Sequence, residues 1–409
     1  MKILLRNATD YILFMLGLCG EVDISLMLDA APASENHLRK QITSLGHGKI
    51  VRRHAYTEDS CFGSKRILRL AGAVGDGALS EVSAELLSHF NLIAGKKGQR
   101  YKGNKQHRER HRRLCTLCQM FYETGVSVDM LSHEFKYDAL PVFSIEESMF
   151  SSYTKKKTIF DEEGNLLSPK EILTRAGETD TIFFTNRALS RMNQQKDERG
   201  KAIMCRSYGL LMRGPVMYNI YCAGDSGEIW WSSIERQMNM LTEKYKSDIF
   251  HVPKGGEGAA IIYTPNEEKA MNVFVPPKLI KNRINPVGVY GEGHILPLNQ
   301  NHLDIRAMLL RKNWREETGR YLLKENYKKG MVYDGTINGY EVYNFLSNDM
   351  VHMTQAQQRI KTRPATVLIH DWQEPIAKSF FGSAVQMIKF TAAEFSALLY
   401  EIETAEEDI

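Results

Sequence analysis

A strong helix signal at Ser34 constrains the fold of this chain more than any other feature. Ser34 is a favourable N-cap, and Leu38, Ile42 and Leu45 recur at intervals of four and three residues. This spacing predicts a helix over Glu35–Leu45 with one buried face. The cap and the other face carry hydrogen-bonding side chains, which we predict to contact the phosphates and base edges of DNA. They are those of Ser34, Asn36, Arg39, Lys40, Gln41 and Ser44.

Two further helical stretches precede this helix, and two β-rich stretches follow it. The first helix covers the apolar run Tyr11–Cys19, and the second covers Asp23–Ala31 before a proline. The β-rich stretches are Ile50–Tyr56 and Lys65–Ala71, joined by a polar turn. Three helices and then a hairpin is the order of a winged helix-turn-helix, which we predict for residues 1–75.

The predicted hairpin and the segment after it are rich in basic side chains. Lys96–Arg113 is the strongest local charge bias in the chain, and only Glu109 opposes it. A basic wing beside a basic arm can neutralise DNA phosphates, whereas an isolated charge run is usually a solvated loop. The basic residues that we assign to DNA are Lys49, Arg52, Arg53, Lys65 and Arg66 in the hairpin and Lys96, Lys97, Arg100 and Lys102 in the arm.

The later part of the chain alternates short apolar runs with helical ones, and no internal repeat is apparent. The predicted strands are Thr181–Thr185, Tyr208–Met212, Val216–Cys222, Ala259–Tyr263, Thr366–His370 and Val385–Phe390. The predicted helices are Trp230–Tyr245, Glu267–Val273, Asn301–Lys312, Glu374–Phe381 and Ala392–Glu403. Asn338-Gly339 predicts a tight turn. The pattern indicates an α/β domain with a mixed sheet over residues 136–409, after a helical and basic connector over 76–135. The fold class is therefore α+β or α/β.

The α/β region offers only isolated candidates for catalysis. A metal-dependent nuclease of the restriction type needs an acidic residue near one strand and Glu-x-Lys on the next. Asp225 and Glu228 follow a predicted strand and Glu235 lies in the next helix, but no neighbouring apolar strand carries Glu-x-Lys. A lone carboxylate such as Glu235 is more often a surface residue or part of a structural pair.

Neither the spacing of the cysteines nor any phosphate-binding motif indicates a bound cofactor. The chain has six cysteines, and Cys115 and Cys118 form its only C-x-x-C. A zinc site needs two more ligands at usable spacing, and none follows, so we expect free thiols in a reducing cytoplasm. The sequence also lacks a G-x-x-x-x-G-K-[ST] loop, which makes nucleotide hydrolysis an unfavoured activity. We expect no cofactor and no bound metal.

The net charge and the hydropathy of the chain narrow the kinds of partner that it can bind. A formal net charge of +4 over 409 residues is too small to attract a polyanion, so binding needs a local basic patch. The apolar run Tyr11–Cys19 is shorter than the ~20 residues of a membrane span, and no other segment qualifies. We expect a cytoplasmic protein with no membrane partner.

Short aromatic and apolar motifs occur at Phe183–Leu189, Arg206–Leu211, Tyr218–Tyr221 and Trp230–Glu235. They resemble motifs of the replication-relaxation type proteins of Gram-positive plasmids and integrative mobile elements. A winged helix followed by a longer α/β region is also similar to that family. The resemblance implies a role in replication, mobilisation or gene control of a mobile element. A nuclease-like C-terminal fold is suspected for some members, and this chain departs from that pattern by its missing Glu-x-Lys.

Three hypotheses about function follow. The first is a sequence-specific DNA-binding protein whose α/β domain serves assembly or partner contact. The second is a metal-dependent origin-nicking endonuclease, with Asp225, Glu228 and Glu235 as candidate ligands. The third is a docking protein whose winged helix binds another protein. The expected partner is double-stranded DNA, and other replication or mobilisation proteins and a second copy of the chain remain open.

Overall fold

The computed structural model describes residues 8–19, 21–29, 34–48, 50–55, 66–70, 110–117, 182–185, 207–213, 216–223, 230–248, 258–275, 283–298, 314–329 and 332–407. They belong to two compact units. The N-terminal unit holds the described residues up to 117 together with 182–185, and the C-terminal unit holds those from 207 to 407. None of the described helices combines the length and the apolar character that crossing a membrane requires.

The N-terminal unit alternates helices with short strands. Its helices are α1 (Ala8–Cys19), α2 (Ile24–Asp29), α3 (Glu35–His47) and α4 (residues 110–117). Its strands are β1 (Glu21–Asp23), β2 (Val51–Ala55), β3 (Arg66–Leu70) and β4 (Ile182–Thr185). The first three strands form an antiparallel sheet in the order β1-β3-β2, so β2 and β3 make a hairpin and β1 lies at its edge.

Helix α3 is held in place by the apolar stripe that its sequence predicts. Leu38, Ile42 and Leu45 are buried, and α3 packs against α1, where Ile12 and Leu16 are fully buried. Burial of each such side chain contributes on the order of 1.5–3 kcal/mol. The helix is therefore fixed through one face, and the other face is left to solvent.

Strand β1 is an element that the sequence analysis missed. All three of its residues are buried, so it lacks the alternation that marks a half-buried strand. Asp23 was predicted to begin the second helix, whereas it ends β1. Its Oδ1 accepts hydrogen bonds from the Ser25 backbone N–H at 2.9 Å and from the Ser25 hydroxyl at 2.7 Å. Asp23 thus serves as the cap of α2.

The C-terminal unit contains two mixed sheets. Its strands are β5 (Gly209–Arg213), β6 (Val216–Cys222), β7 (Ala259–Thr264), β8 (Glu292–Pro297), β9 (Gly335–Ile337), β10 (Tyr340–Asn344), β11 (Ala365–His370) and β12 (Gln386–Phe390). Its helices are α5 (Ser232–Asp248), α6 (Glu267–Phe274), α7 (Trp314–Leu323), α8 (Met350–Thr362), α9 (Glu374–Phe381) and α10 (Ala392–Glu407). Strands β5 to β8 are neighbours in chain order in one sheet, and β9 to β12 in the other.

Among the strands of the C-terminal unit, β5 to β8 and β9 to β12 follow the same connectivity. An antiparallel pair comes first, formed by β5 with β6 in one sheet and by β9 with β10 in the other. Two parallel strands are then added through crossover helices, α5 and α6 in the first sheet and α8 and α9 in the second. The structure therefore repeats a pattern along the chain that the sequence analysis did not detect.

The turn predicted at Asn338-Gly339 is confirmed. It joins β9 to β10, and Ile337 pairs with Tyr340 across it. Asn338 has φ 50° and Gly339 has φ 80°, the positive values that a type I′ hairpin turn requires at both central residues.

One apolar core draws side chains from both sheets of the C-terminal unit. It includes Ile262 and Ile295 from the first sheet, Val367 and Ile369 from the second, and residues of α8, which packs against β8. Because this core is built from side chains of both sheets, neither sheet buries its apolar residues alone, and the two sheets stabilise each other.

The mixed α and β class is confirmed, and the C-terminal unit contains two mixed sheets where the sequence analysis described one. Strands β8, β9 and β10 and helices α7 and α8 were not predicted. In β8 the polar residues Glu292 and His294 interrupt the apolar run, and α8 buries His352 among its apolar residues. Such segments form a strand or a helix because neighbouring elements bury them, so their own sequence pattern does not predict them. The predicted helix Asn301–Lys312 lies outside the described residues.

Candidate nucleic-acid interface

The solvent-facing side of α3 is polar along its whole length. Ser34 caps the helix in extended conformation, and its side chain accepts a hydrogen bond from the His37 backbone N–H. The exposed residues of the helix and its cap include the predicted Ser34, Asn36, Arg39, Lys40 and Ser44, together with Glu35, His37, Thr43 and His47. None of the large apolar side chains exposed on the described part of the chain belongs to α3.

Gln41 differs from the other predicted residues of the helix. It is half-buried, and its side-chain oxygen accepts a hydrogen bond from the Thr9 hydroxyl of α1 at 3.1 Å. This contact places Gln41 at the boundary between α3 and the core. The Gln41 side chain therefore points away from the centre of the exposed face.

An ion pair occupies one flank of α3. The Arg39 guanidinium donates to Glu35 Oε1 through Nε at 2.8 Å and through Nη2 at 2.5 Å. Both side chains are more than half exposed, so the pair biases the orientation of Arg39 but adds only a few tenths of a kcal/mol. Glu35 is the only acidic residue of α3.

Arg53 links the hairpin to α3. Its Nη2 donates to the Thr43 hydroxyl at 2.8 Å, and that hydroxyl donates to the Arg39 backbone carbonyl at 2.8 Å. The guanidinium therefore lies beside the exposed face of the helix. In the sequence, only its charge marks Arg53 as a candidate, and no local signal indicates its contact with Thr43.

The other predicted basic residues are described in part or not at all. Arg52 lies on β2 opposite Arg69, and Arg66 lies on β3 opposite Ala55. The placement of their side chains lies outside what the structure describes. Six further predicted residues fall outside the described ranges, namely Lys49, Lys65, Lys96, Lys97, Arg100 and Lys102.

Helix α4 connects the end of the basic run to the edge of the N-terminal sheet. The backbone carbonyl of Glu21 in β1 lies 3.0 Å from His111 Nε2 and 3.6 Å from Cys115 Sγ. His111 Nε2 and Cys115 Sγ are themselves 3.7 Å apart. A spacing of four residues within the predicted helical connector could have revealed this pair, but the sequence analysis treated Cys115 only with Cys118, which lies outside the described residues.

These contacts set the charge of His111. Burial by itself lowers the pKa of His111, but the charge and hydrogen bond of Cys115 and the carbonyl of Glu21 outweigh it and raise the pKa to about 9. The folded unit therefore holds a proton at His111 over a pH range in which an unfolded histidine, with a pKa of 6.5, has lost it.

We expect the contact between α4 and β1 to weaken as the pH rises toward 9. A raised folded-state pKa gives stabilisation that is complete below the unfolded pKa of 6.5 and is lost as the pH passes through about 9. Hydrogen exchange of the β1 amides at pH 6.5 and pH 9.5, corrected for intrinsic exchange, measures this loss. The His111→Gln variant should show little of it, and equal pH dependence in variant and wild type would contradict the assignment.

Of the three predicted catalytic residues, the structure describes only Glu235. Asp225 and Glu228 lie outside the described residues. Glu235 is buried with 1% exposure, and its Oε2 accepts a hydrogen bond from the Tyr221 hydroxyl at 2.7 Å. The Tyr221 hydroxyl also lies 2.6 Å from that of Tyr290. Glu235 is therefore an interior, paired carboxylate. Within the described ranges, no group of three His, Cys, Asp or Glu side chains is placed to hold a metal ion.

Comparisons with family models, with curated proteins and with solved structures found no match to this chain.

Proposed function

We propose that this chain is a DNA-binding protein of a mobile genetic element and that its N-terminal unit is a winged helix-turn-helix. In this proposal α3 enters the major groove of a duplex, and the β2–β3 hairpin is the wing beside the phosphate backbone. The order of the three helices and the antiparallel sheet β1-β3-β2 support this assignment.

The observation that carries the proposal is the division of α3 into two faces. Its apolar stripe is buried and its polar face is exposed along the whole helix. A major groove about 12 Å wide admits one α-helix, and base edges and phosphates are read by hydrogen-bonding and cationic side chains. The exposed face offers these groups in Asn36, Arg39 and Lys40, with Arg53 beside it.

The two other hypotheses have less support. A docking helix would present an apolar surface, and the exposed face of α3 has no large apolar side chain. A nicking enzyme would use carboxylates gathered around a cation, and Glu235, the only described candidate, is buried against Tyr221. The resemblance to replication-relaxation proteins supports a role in plasmid replication, mobilisation or transcriptional control.

Replacing Arg39 and Lys40 together by alanine is expected to weaken specific DNA binding. The loss should be about 1–3 kcal/mol for each good base contact that disappears, and each 1.4 kcal/mol is a factor of ten in affinity. The measurement is a titration of a labelled duplex, first selected from random and element DNA, at one fixed salt concentration. Mg²⁺ belongs in the selection, because a nicked product would favour the endonuclease hypothesis.

The matched control is the double variant Arg320→Ala, Lys361→Ala in the C-terminal unit. Arg320 is exposed and pairs with Glu316 four residues away, as Arg39 pairs with Glu35, and Lys361 is exposed like Lys40. The control variant removes the same charge and should retain nearly all of the affinity. Equal losses in both variants would show a nonspecific charge effect and remove α3 from the interface.

A further inference from the structure

The exposed side chains of α3 fall into two groups, those already engaged within the protein and those with unused hydrogen-bonding capacity. Arg39 is engaged by Glu35, and Thr43 by Arg53 and by the Arg39 carbonyl. Asn36 and Lys40 are exposed and have no hydrogen bond or ion pair among the described residues. Their amide and ammonium groups are therefore available to a ligand.

Asn36 and Lys40 also have the most favourable positions for contact with base edges. They are four residues apart, so they lie on the same side of the helix, opposite the buried stripe formed by Leu38, Ile42 and Leu45. Both belong to the first two turns, and recognition helices contact bases through their N-terminal residues. The rise between them is about 6 Å, which spans one to two base pairs of about 3.4 Å each.

We infer that α3 reads an adenine through Asn36 and, one or two base pairs away, a guanine through Lys40. This inference rests on the proposed function. The amide of asparagine can donate to adenine N7 while its oxygen accepts from adenine N6, and an ammonium group can donate to guanine O6 and N7. Arg39, held on the flank of the helix by Glu35, contacts phosphate, and such contacts carry no sequence information.

The substitution Asn36→Asp tests the adenine contact because it replaces only the side-chain NH2 group, with a carboxylate oxygen. Aspartate still accepts a hydrogen bond but cannot donate to adenine N7, and acidic side chains accept from cytosine N4. Position 36 lies in the first turn of α3, where a negative charge favours the helix. The variant is therefore expected to fold.

The experiment is selection from random duplex DNA with the full chain, in wild type and in the variants Asn36→Asp, Asn36→Ala, Lys40→Ala and Arg39→Ala. We expect Asn36→Ala to lower adenine preference at one position by about 5- to 150-fold, and Asn36→Asp to shift that position toward cytosine. Lys40→Ala should relax a guanine position next to it or one base pair further away. Arg39→Ala should weaken all sequences alike.

Failure of the inference can be told apart from failure of the proposed function. If the wild type selects a site and both Asn36 variants select it with the same base weights, the inference is wrong and the DNA-binding function stands. If the wild type selects nothing and retains no duplex, both are wrong. Loss of base preference with Arg39→Ala alone would exchange the roles assigned to Arg39 and Asn36, and would also overturn the inference.

Discussion

Replacing four basic residues of the arm by alanine is expected to flatten the salt dependence of DNA binding. The slope of log K against log salt concentration should become about 3 to 4 less negative. The four residues are Lys96, Lys97, Arg100 and Lys102. Each phosphate that a cation neutralises releases counterions and contributes about −0.9 to the slope of log K against log salt concentration. These four residues lie in the strongest charge bias of the sequence. The prediction rests on charge alone, since these four residues lie outside the described ranges.

The slope is measured by titrating one duplex at several salt concentrations between 50 and 200 mM, the range over which several phosphate contacts change affinity by orders of magnitude. Base preference should stay the same, because phosphate contacts do not read sequence. The control variant replaces four exposed lysines of the C-terminal unit, which are Lys324, Lys328, Lys361 and Lys378. An unchanged slope in the arm variant would mean that the arm makes no phosphate contact.

Replacing Phe345 by alanine is expected to lower the free energy of unfolding of the C-terminal unit by about 3–5 kcal/mol. Phe345 follows β10 and is fully buried. Its ring stacks on Phe381 with centroids 5.3 Å apart and lies edge-on to His352 at 5.0 Å. Removal of the ring leaves a cavity where α8 and α9 pack against the second sheet.

This prediction is checked by urea unfolding with circular dichroism and by hydrogen exchange in both sheets. Because the core takes side chains from both sheets, protection should fall in β7 and β8 as well as in β10 and β11. The control Tyr400→Ala removes a side chain that is 68% exposed and should change stability by less than about 0.5 kcal/mol. A loss of protection confined to the second sheet would show that the sheets unfold independently.

Local patterns predicted the elements whose burial follows from their own sequence. The apolar stripe of α3, the strand Val216–Cys222, the helix Glu374–Phe381 and the turn at Asn338 all occur where the sequence placed them. A cap, a periodic stripe or a positive-φ turn depends on neighbouring residues alone. Such signals require no knowledge of the rest of the fold.

The elements that the sequence did not reveal depend on distant partners. Strand β1 exists because β3 pairs with it, and α8 buries His352 because surrounding elements cover it. The sequence left two alternatives for Glu235, a surface residue or a member of a structural pair, and the structure shows a buried pair whose partner comes from another element. A tyrosine fourteen residues away makes its burial tolerable.

By itself, the sequence determined which residues are cationic, which helix has one apolar face, and that α and β elements share the chain. Only the tertiary structure decided which of the polar residues on α3 are already bonded, because hydrogen-bond partners such as Arg53 and Thr9 come from other elements. It also decided that the C-terminal strands form two sheets, since strand pairing is a long-range choice that period-two patterns do not encode.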